Sequence, residues 1–352
     1  MINELSNPNL ATGSIMDNGV KTTRLRLFYT RYFFVLMACL FPVLVVIGFT
    51  PDYQLINSGA INVHWFLHVH GAIMTSWIIV FLAQTILAAK GNFQFHRKLG
   101  LISVALGLIV LLSIAIAIVR AKIVYSPPVG DDDAWGILSL QSYAFLLFGL
   151  FFTWGVMVRK NAAAHKRLLL LATLITMQAA IDRIRFLPGI HTVLYVRFIY
   201  LDILLIPLFI YDLLTLRRIH KITIIGVGCI VFLQFAVQTA WGSPAWNKFA
   251  FSLFAPFMEQ PVEIKLNKAQ IDPILGYYGD KKWKMAVFRD GGKVYLKLPD
   301  VPKFEITAAS ETEWFMKVTT WRISFIKSAD GSVIKMINKQ PNLTWEAHRM
   351  KN

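Results

Sequence analysis

The sequence predicts a polytopic α-helical membrane protein: about seven transmembrane helices, then a C-terminal antiparallel β half-barrel domain. Three observations predict it. The 352 residues are 56% hydrophobic and only 16% charged, with a mean hydropathy of +0.53. Soluble domains run at roughly 45–50% apolar and about 25% charged, so this chain carries more apolar surface than a water-soluble core could bury. Seven stretches each approach the 20 or so apolar residues that cross a bilayer. Beyond Trp241 the apolar spacing falls to two, the period of a strand. Such a composition excludes a soluble enzyme and a disordered chain. Cys39 and Cys229 both sit inside apolar runs, which argues against a disulfide framework or a paired-cysteine metal site.

The expected spans are Tyr32 to Phe49, Trp65 to Ala89, Leu99 to Val119, Leu138 to Val158, Leu168 to Ile184, Val193 to Leu216 and Ile222 to Trp241. Gln178 and Asp182 interrupt the fifth. Fourteen Lys and Arg residues, from Lys21, Arg24, Arg26 and Arg31 through Arg97, Arg167 and Lys221, fall on one side of this arrangement. The loop Pro51 to His64 on the other side has none. The positive-inside bias then places the N-terminus in the cytoplasm and, with seven spans, the C-terminus outside a bacterial-type inner membrane. Residues 1–30 form a cytoplasmic segment, 31–242 the membrane domain, 243–258 an interfacial connector and 259–352 an exported domain. No small-residue cleavage site follows the first apolar run, so it reads as an uncleaved anchor. Trp246, Phe249 and Phe251 look like an interfacial collar.

In the tail, strands are expected over Trp283 to Arg289, Lys293 to Leu298, Lys303 to Thr307, Glu313 to Val318, Arg322 to Lys327 and Val333 to Asn338. Asp290-Gly291-Gly292 and Asp330-Gly331 supply the turns. The stretches Leu266 to Ile271, Leu275-Gly276-Tyr277-Tyr278-Gly279 and Gly291 to Pro299 resemble the small β domain found C-terminal to serine-β-lactamase-like hydrolases. That resemblance implies a lipocalin-like half-barrel and carries no catalytic residue set. In the membrane part, His96-Arg97-Lys98-Leu99-Gly100 and His165-Lys166-Arg167-Leu168-Leu169 open two related helical hairpins. Residues 64–190 resemble a bacterial predicted-membrane-protein family with paired His-Arg helix starts, a resemblance that implies a fold and no activity. A weaker likeness, through His96 to Gly100, runs to cytochrome-b-type membrane domains.

Candidate chemistry falls in two places. His96 and His165 share a depth on different helices, the minimal geometry for two axial ligands to haem b. Anchoring among headgroups is the alternative. His64 and His68 are spaced i,i+4, so both imidazoles point from one helical face, as a divalent metal site requires. No third, acidic ligand is singled out by the sequence. His70 faces away and should act separately. At matching depth lie Asp182, Arg183 and Arg197, with Asp202 about 13 Å inside its span by helical rise. An intramembrane carboxylate is costly unless paired or hydrated. These residues suggest an outward-facing polar pocket, built from His64, His68, Asp182, Arg183, Arg197 and Asp202, for a small ligand, lipid headgroup or metal. The alternative is a set of ion pairs joining Asp202 to Arg183 or Arg197. A general base at Asp202 or His68 has no nucleophile beside it in the pattern. Asp131-Asp132-Asp133 reads as a solvated turn, Pro207 as a kink, and Gly226-x-Gly228 as a close-packing site. The bilayer and an exported protein or small molecule are the expected partners. Walker and dinucleotide motifs are absent, and no groove-like basic pattern suggests nucleic acid.

Overall fold

The computed structural model describes residues 9–190, 194–280, 283–299, 301–340 and 343–350, with side chains from Leu27 onward. The side chains of Lys21, Arg24 and Arg26, which enter the charge bias, lie outside the described set. Helices α1 (Asn9–Asn57), α2 (Trp65–Ala89), α3 (Phe93–Tyr125) and α4 (Asp132–Met157) lead the chain. They are followed by α5 (Ala162–Thr176), α6 (Gln178–Ile181), α7 (Leu194–Ile203), α8 (Ile206–Leu216) and α9 (Lys221–Ala240). Among the described residues, six segments are long and apolar enough to cross a membrane: Leu27–Asn57, Trp65–Ala89, Phe93–Tyr125, Asp132–Met157, Leu194–Leu216 and Lys221–Ala240. Helices are the natural solution there, because lipid offers no partner to an unbonded backbone amide.

The fifth expected span differs from the other six. It is split into α5, 15 residues long, and the single turn α6. Asn161 caps α5 by accepting from the Ala164 amide. The ladder gives way where Thr173 and Thr176 bond back to the Leu169 and Thr173 carbonyls, a competition that loosens helices. Most of α5 is buried, so its apolar side chains serve packing rather than lipid contact. It runs antiparallel to α7 and α8: Arg167 meets Asp212 at one end, and Gln178 meets the Arg197 carbonyl at the other. The sixth expected span is also divided, just ahead of Pro207, which has no amide hydrogen to close the helical bond to Ile203.

Two compact units result. The first comprises Met1–Pro51, Gly71–Leu112 and Ala144–Gln234. Its α1 meets α8 through Phe33, stacked on Tyr211 at 4.6 Å, and meets the segment after α6 through Phe49, whose ring lies under Arg183 at 4.6 Å. Trp77 donates to Thr173 Oγ1 at 3.2 Å and stands edge-on to Phe148 and Phe152.

The second unit comprises Asp52–His70, Ser113–Tyr143 and Phe235–Asn352. Here α10 (Pro244–Phe254) is capped by Ser243 and packs Ala250 against Trp135 and Leu138. Of the expected collar, Trp246 and Phe251 turn inward on Trp135, and Phe249 stays exposed. The Asp131 turn is structural: its carboxylate accepts from the Ala134 amide at the start of α4, and Asp132 accepts from Asn247 of α10. Burial raises the Asp131 pKa above the ordinary carboxylate range, so the turn is not the fully solvated one expected.

After the short helix α11 (Lys268–Ile271), eight antiparallel strands follow in sequence order. They are β1 (Gly276–Gly279), β2 (Lys284–Asp290), β3 (Lys293–Lys297), β4 (Phe304–Ala308), β5 (Glu313–Phe315), β6 (Arg322–Lys327), β7 (Val333–Lys339) and β8 (Thr344–His348). The six expected strands are all present; β1 and β8 are additions. A bridge between Tyr278 and Arg349, with the Met350 amide donating to the Tyr277 carbonyl, brings the last strand back to the first. The expected antiparallel barrel-like domain is therefore present, and its sheet is nearly closed. Tyr278, Met285, Leu296, Met316, Phe325 and Met336 fill its interior, as expected for an eight-stranded barrel of this size.

Candidate functional site

Period-two alternation in β6 and β7 sends Ile323, Phe325, Met336 and Asn338 inward. Their neighbours Arg322 and Lys339 are therefore on the outer face. The register makes these two residues direct cross-strand partners. Like charges placed opposite one another destabilise a sheet, so the pair calls for a compensating anion. On the same sheet Lys293, Lys303, Lys317, Lys327 and Lys335 each pair with a carboxylate. Among the described residues neither Arg322 nor Lys339 does. Arg322 donates only to the Trp321 carbonyl at 3.3 Å and lies 5.9 Å from the Phe315 ring centre. Burial lowers the pKa of its guanidinium, because removing water disfavours the charge.

Both cations line a cleft of about 500 Å³ whose other walls include His64, Ile123, Val124, Tyr125, Ser126, Phe257, Glu259, Thr320 and Gln340. His64 and Gln340 also border a neighbouring hollow of about 330 Å³. The His64 ring stands edge-on to Tyr125 at 6.0 Å and parallel to Phe66 at 5.7 Å. Ser126 holds a left-handed backbone at φ 43°, which turns the chain out of α3. Its carbonyl accepts from Gln260 at 3.0 Å. That strained, buried corner fixes one wall of the cleft.

The residues expected from sequence are divided between the two units. His64 and His68 belong to the second unit; Asp182, Arg183, Arg197 and Asp202 belong to the first. Only His64 lines the cleft, and His68 is exposed. Among the described residues no three His, Cys, Asp or Glu side chains are grouped to hold a metal, so no third ligand joins His64 and His68 there. His70 bonds Ser113 at 3.2 Å through Nδ1. In the first unit Gln178 ties two of the expected residues together, donating to Asp182 at 2.7 Å and to the Arg197 carbonyl at 3.3 Å. Asp202 accepts from Gln234 at 2.9 Å. It forms no ion pair among the described residues, so neither Arg183 nor Arg197 neutralises it there.

His96 and His165 repeat one another in detail. Nδ1 of His96 bonds the Gln84 carbonyl of the preceding helix at 3.3 Å, and Nδ1 of His165 bonds the Gly155 carbonyl at 2.8 Å. Donation through Nδ1 leaves each Nε2 as the acceptor nitrogen.

Sequence reasoning missed Arg322 and Lys339, which strand register brings together, and Gln340 and Glu259, which reach the cleft from outside the strands. It also missed Asp212, although a carboxylate between Tyr211 and Leu213 was a visible signal. Asp212 receives both Nε and Nη2 of Arg167 on one oxygen, and the Thr223 hydroxyl and the His220 amide on the other. Compared with known proteins, the chain matches no family model, no curated sequence and no solved structure.

Proposed function

We propose that this chain is a multi-pass membrane binding protein that takes a small anionic ligand in the cleft of its second unit. The Arg322–Lys339 pair carries the reading: two cations opposed across strands, without carboxylate partners among the described residues, facing a cavity large enough for a small molecule. The antiparallel return of α5 and α6 against α7 and α8 keeps a seven-pass parity, on which the positive-inside bias supports an exported position for this cleft. An exported partner could then meet the ligand there without crossing the membrane. Isothermal titration of the detergent-purified chain with inorganic phosphate tests it. Arg322→Gln and Lys339→Gln are each expected to weaken binding roughly tenfold or more, since a hydrogen bond to a charged group contributes about 1.5–3 kcal/mol. Lys335→Gln, which removes a cation paired with Glu346, should change nothing. Equal losses in all three variants, or no phosphate binding by the parent chain, would refute the assignment.

A second reading, a b-type haem redox module, is favoured by one observation. The matched carbonyl bonds of His96 and His165 hold both imidazoles with Nε2 available, the orientation metal-ligating histidines adopt. Haem there would supply one-electron redox chemistry, with the two side chains as axial ligands. A visible spectrum with and without dithionite decides it. A reducible Soret band lost in His96→Ala and His165→Ala supports haem; colourless protein from haem-replete cells overturns it.

A further inference from the structure

The cleft lining is of two kinds: polar and charged groups, among them His64, Arg322, Lys339 and one carboxylate, Glu259, and the apolar side chains of Ile123, Val124 and Phe257. A free inorganic anion uses only the first kind. The apolar surface also continues out of the cleft. Phe249, Leu253 and Phe257 follow at intervals of four along α10 and the turn of 3₁₀ helix after it, and they are 56%, 54% and 66% exposed. That spacing places them along one side of the helix, and Phe257 at its end is itself a cleft residue.

The stripe is held in place by the opposite face of α10. Trp246 donates through its indole to the Trp135 carbonyl at 2.8 Å, Asn247 bonds Asp132, and Ala250 is fully buried. α10 cannot roll to hide its phenylalanines without giving up these contacts. A fixed, exposed apolar stripe that ends at a pair of cations without carboxylate partners among the described residues is complementary to a molecule with an acyl chain and an anionic head.

Resting on the anion reading above, we infer that the ligand is an anionic phospholipid, its phosphate between Arg322 and Lys339 and its chains along Phe257, Leu253 and Phe249. Zwitterionic lipid offers the same chains but carries its own ammonium toward the two cations, so it should bind less well.

The test uses the full chain in a neutral maltoside detergent, titrated by calorimetry with three probes: inorganic phosphate, dihexanoyl phosphatidic acid and dihexanoyl phosphatidylcholine. Phosphatidic acid is expected to bind at least about tenfold more tightly than either of the others. Phe257→Ser and Leu253→Ser, both at exposed positions and checked for unchanged circular dichroism, should remove that advantage and leave phosphate binding as it was. Arg322→Gln should weaken phosphate and phosphatidic acid together. Equal affinities for phosphate and phosphatidic acid, or an advantage that survives both serine variants, would overturn the lipid assignment while the anion site stands. Phosphatidylcholine binding as tightly as phosphatidic acid would also overturn it. Absence of binding by all three probes would remove both readings.

Discussion

Replacing Asp212 by alanine is expected to destabilise the helical part by about 3–5 kcal/mol, the range for a buried ion pair broken on one side. The carboxylate is fully buried and takes four donors: two from Arg167, one from Thr223 and one from the His220 amide. Removing it leaves a guanidinium with 2% of its side chain exposed, and its one other bond runs from Nη1 to the Ala163 carbonyl at 2.7 Å. Arg167→Met should cost less, since the carboxylate keeps Thr223 and the His220 amide. Arg167→Met combined with Asp212→Leu should recover much of the loss, because an apolar pair of similar volume needs no desolvated charge. Thermal unfolding in detergent, followed by circular dichroism, gives the order. An Asp212→Ala protein that melts with the parent would show that the pair does not hold α5 to α8.

The same pair shows where the sequence was legible. Arg167 reads from the sequence as one more cation at a helix start, grouped with His165 and Lys166 as boundary anchoring. Its partner lies 45 residues away, and only the antiparallel path of α5 against α8 brings the two together. Asp202, picked out by depth alone, has a neutral amide as its partner. Depth therefore reveals that a carboxylate is present, and tertiary path decides what neutralises it. Spans were legible because bilayer thickness imposes a length: Trp65–Ala89 was placed to the residue. The fifth was legible in part: Gln178 and Asp182 marked its interruption, while the threonine back-bonding that ends α5 and the burial of that helix leave no period to read. In the barrel, alternation located six strands. β1, four residues bounded by Gly276 and Gly279, offers no polar-apolar alternation to read, and β8, Thr344–His348, alternates but was not singled out. The cleft residues Arg322 and Lys339 sit at the ends of two strands that were found, yet their pairing depends on a register that alternation alone does not fix.

Gly48→Val is expected to cost about 3 kcal/mol or more, and to do so by moving functional candidates rather than only by crowding. A Cβ at Gly48 would stand 2.2 Å from the Ala180 carbonyl oxygen and 3.0 Å from the Ala180 Cα. The obstacle is backbone, so no rotamer change relieves it, and overpacking of this kind reaches the upper end of the usual 1–3 kcal/mol or passes it. Small residues permit such close approach between membrane helices. The sequence pointed elsewhere, to Gly226-x-Gly228. There a Cβ on Gly226 would crowd the Leu171 Cδ1 tip and make ordinary contact with Phe151 at 3.8 Å, and one on Gly228 would meet open space. Gly228→Ala should therefore be close to neutral, and Gly226→Ala should cost less than the Gly48 change because a leucine tip can turn aside. The position of Ala180 gives the Gly48 variant its further consequence. It lies in α6 between Gln178 and Asp182, whose hydrogen bond also reaches Arg197 through the Gln178 amide. Pushing α6 away from α1 also parts Arg183 from the Phe49 ring. Melting temperatures of the three glycine variants, read beside hydrogen-exchange protection over 178–184, test both halves of the argument. Unchanged protection in a destabilised Gly48→Val protein would mean that α1 yields and α6 stays in place.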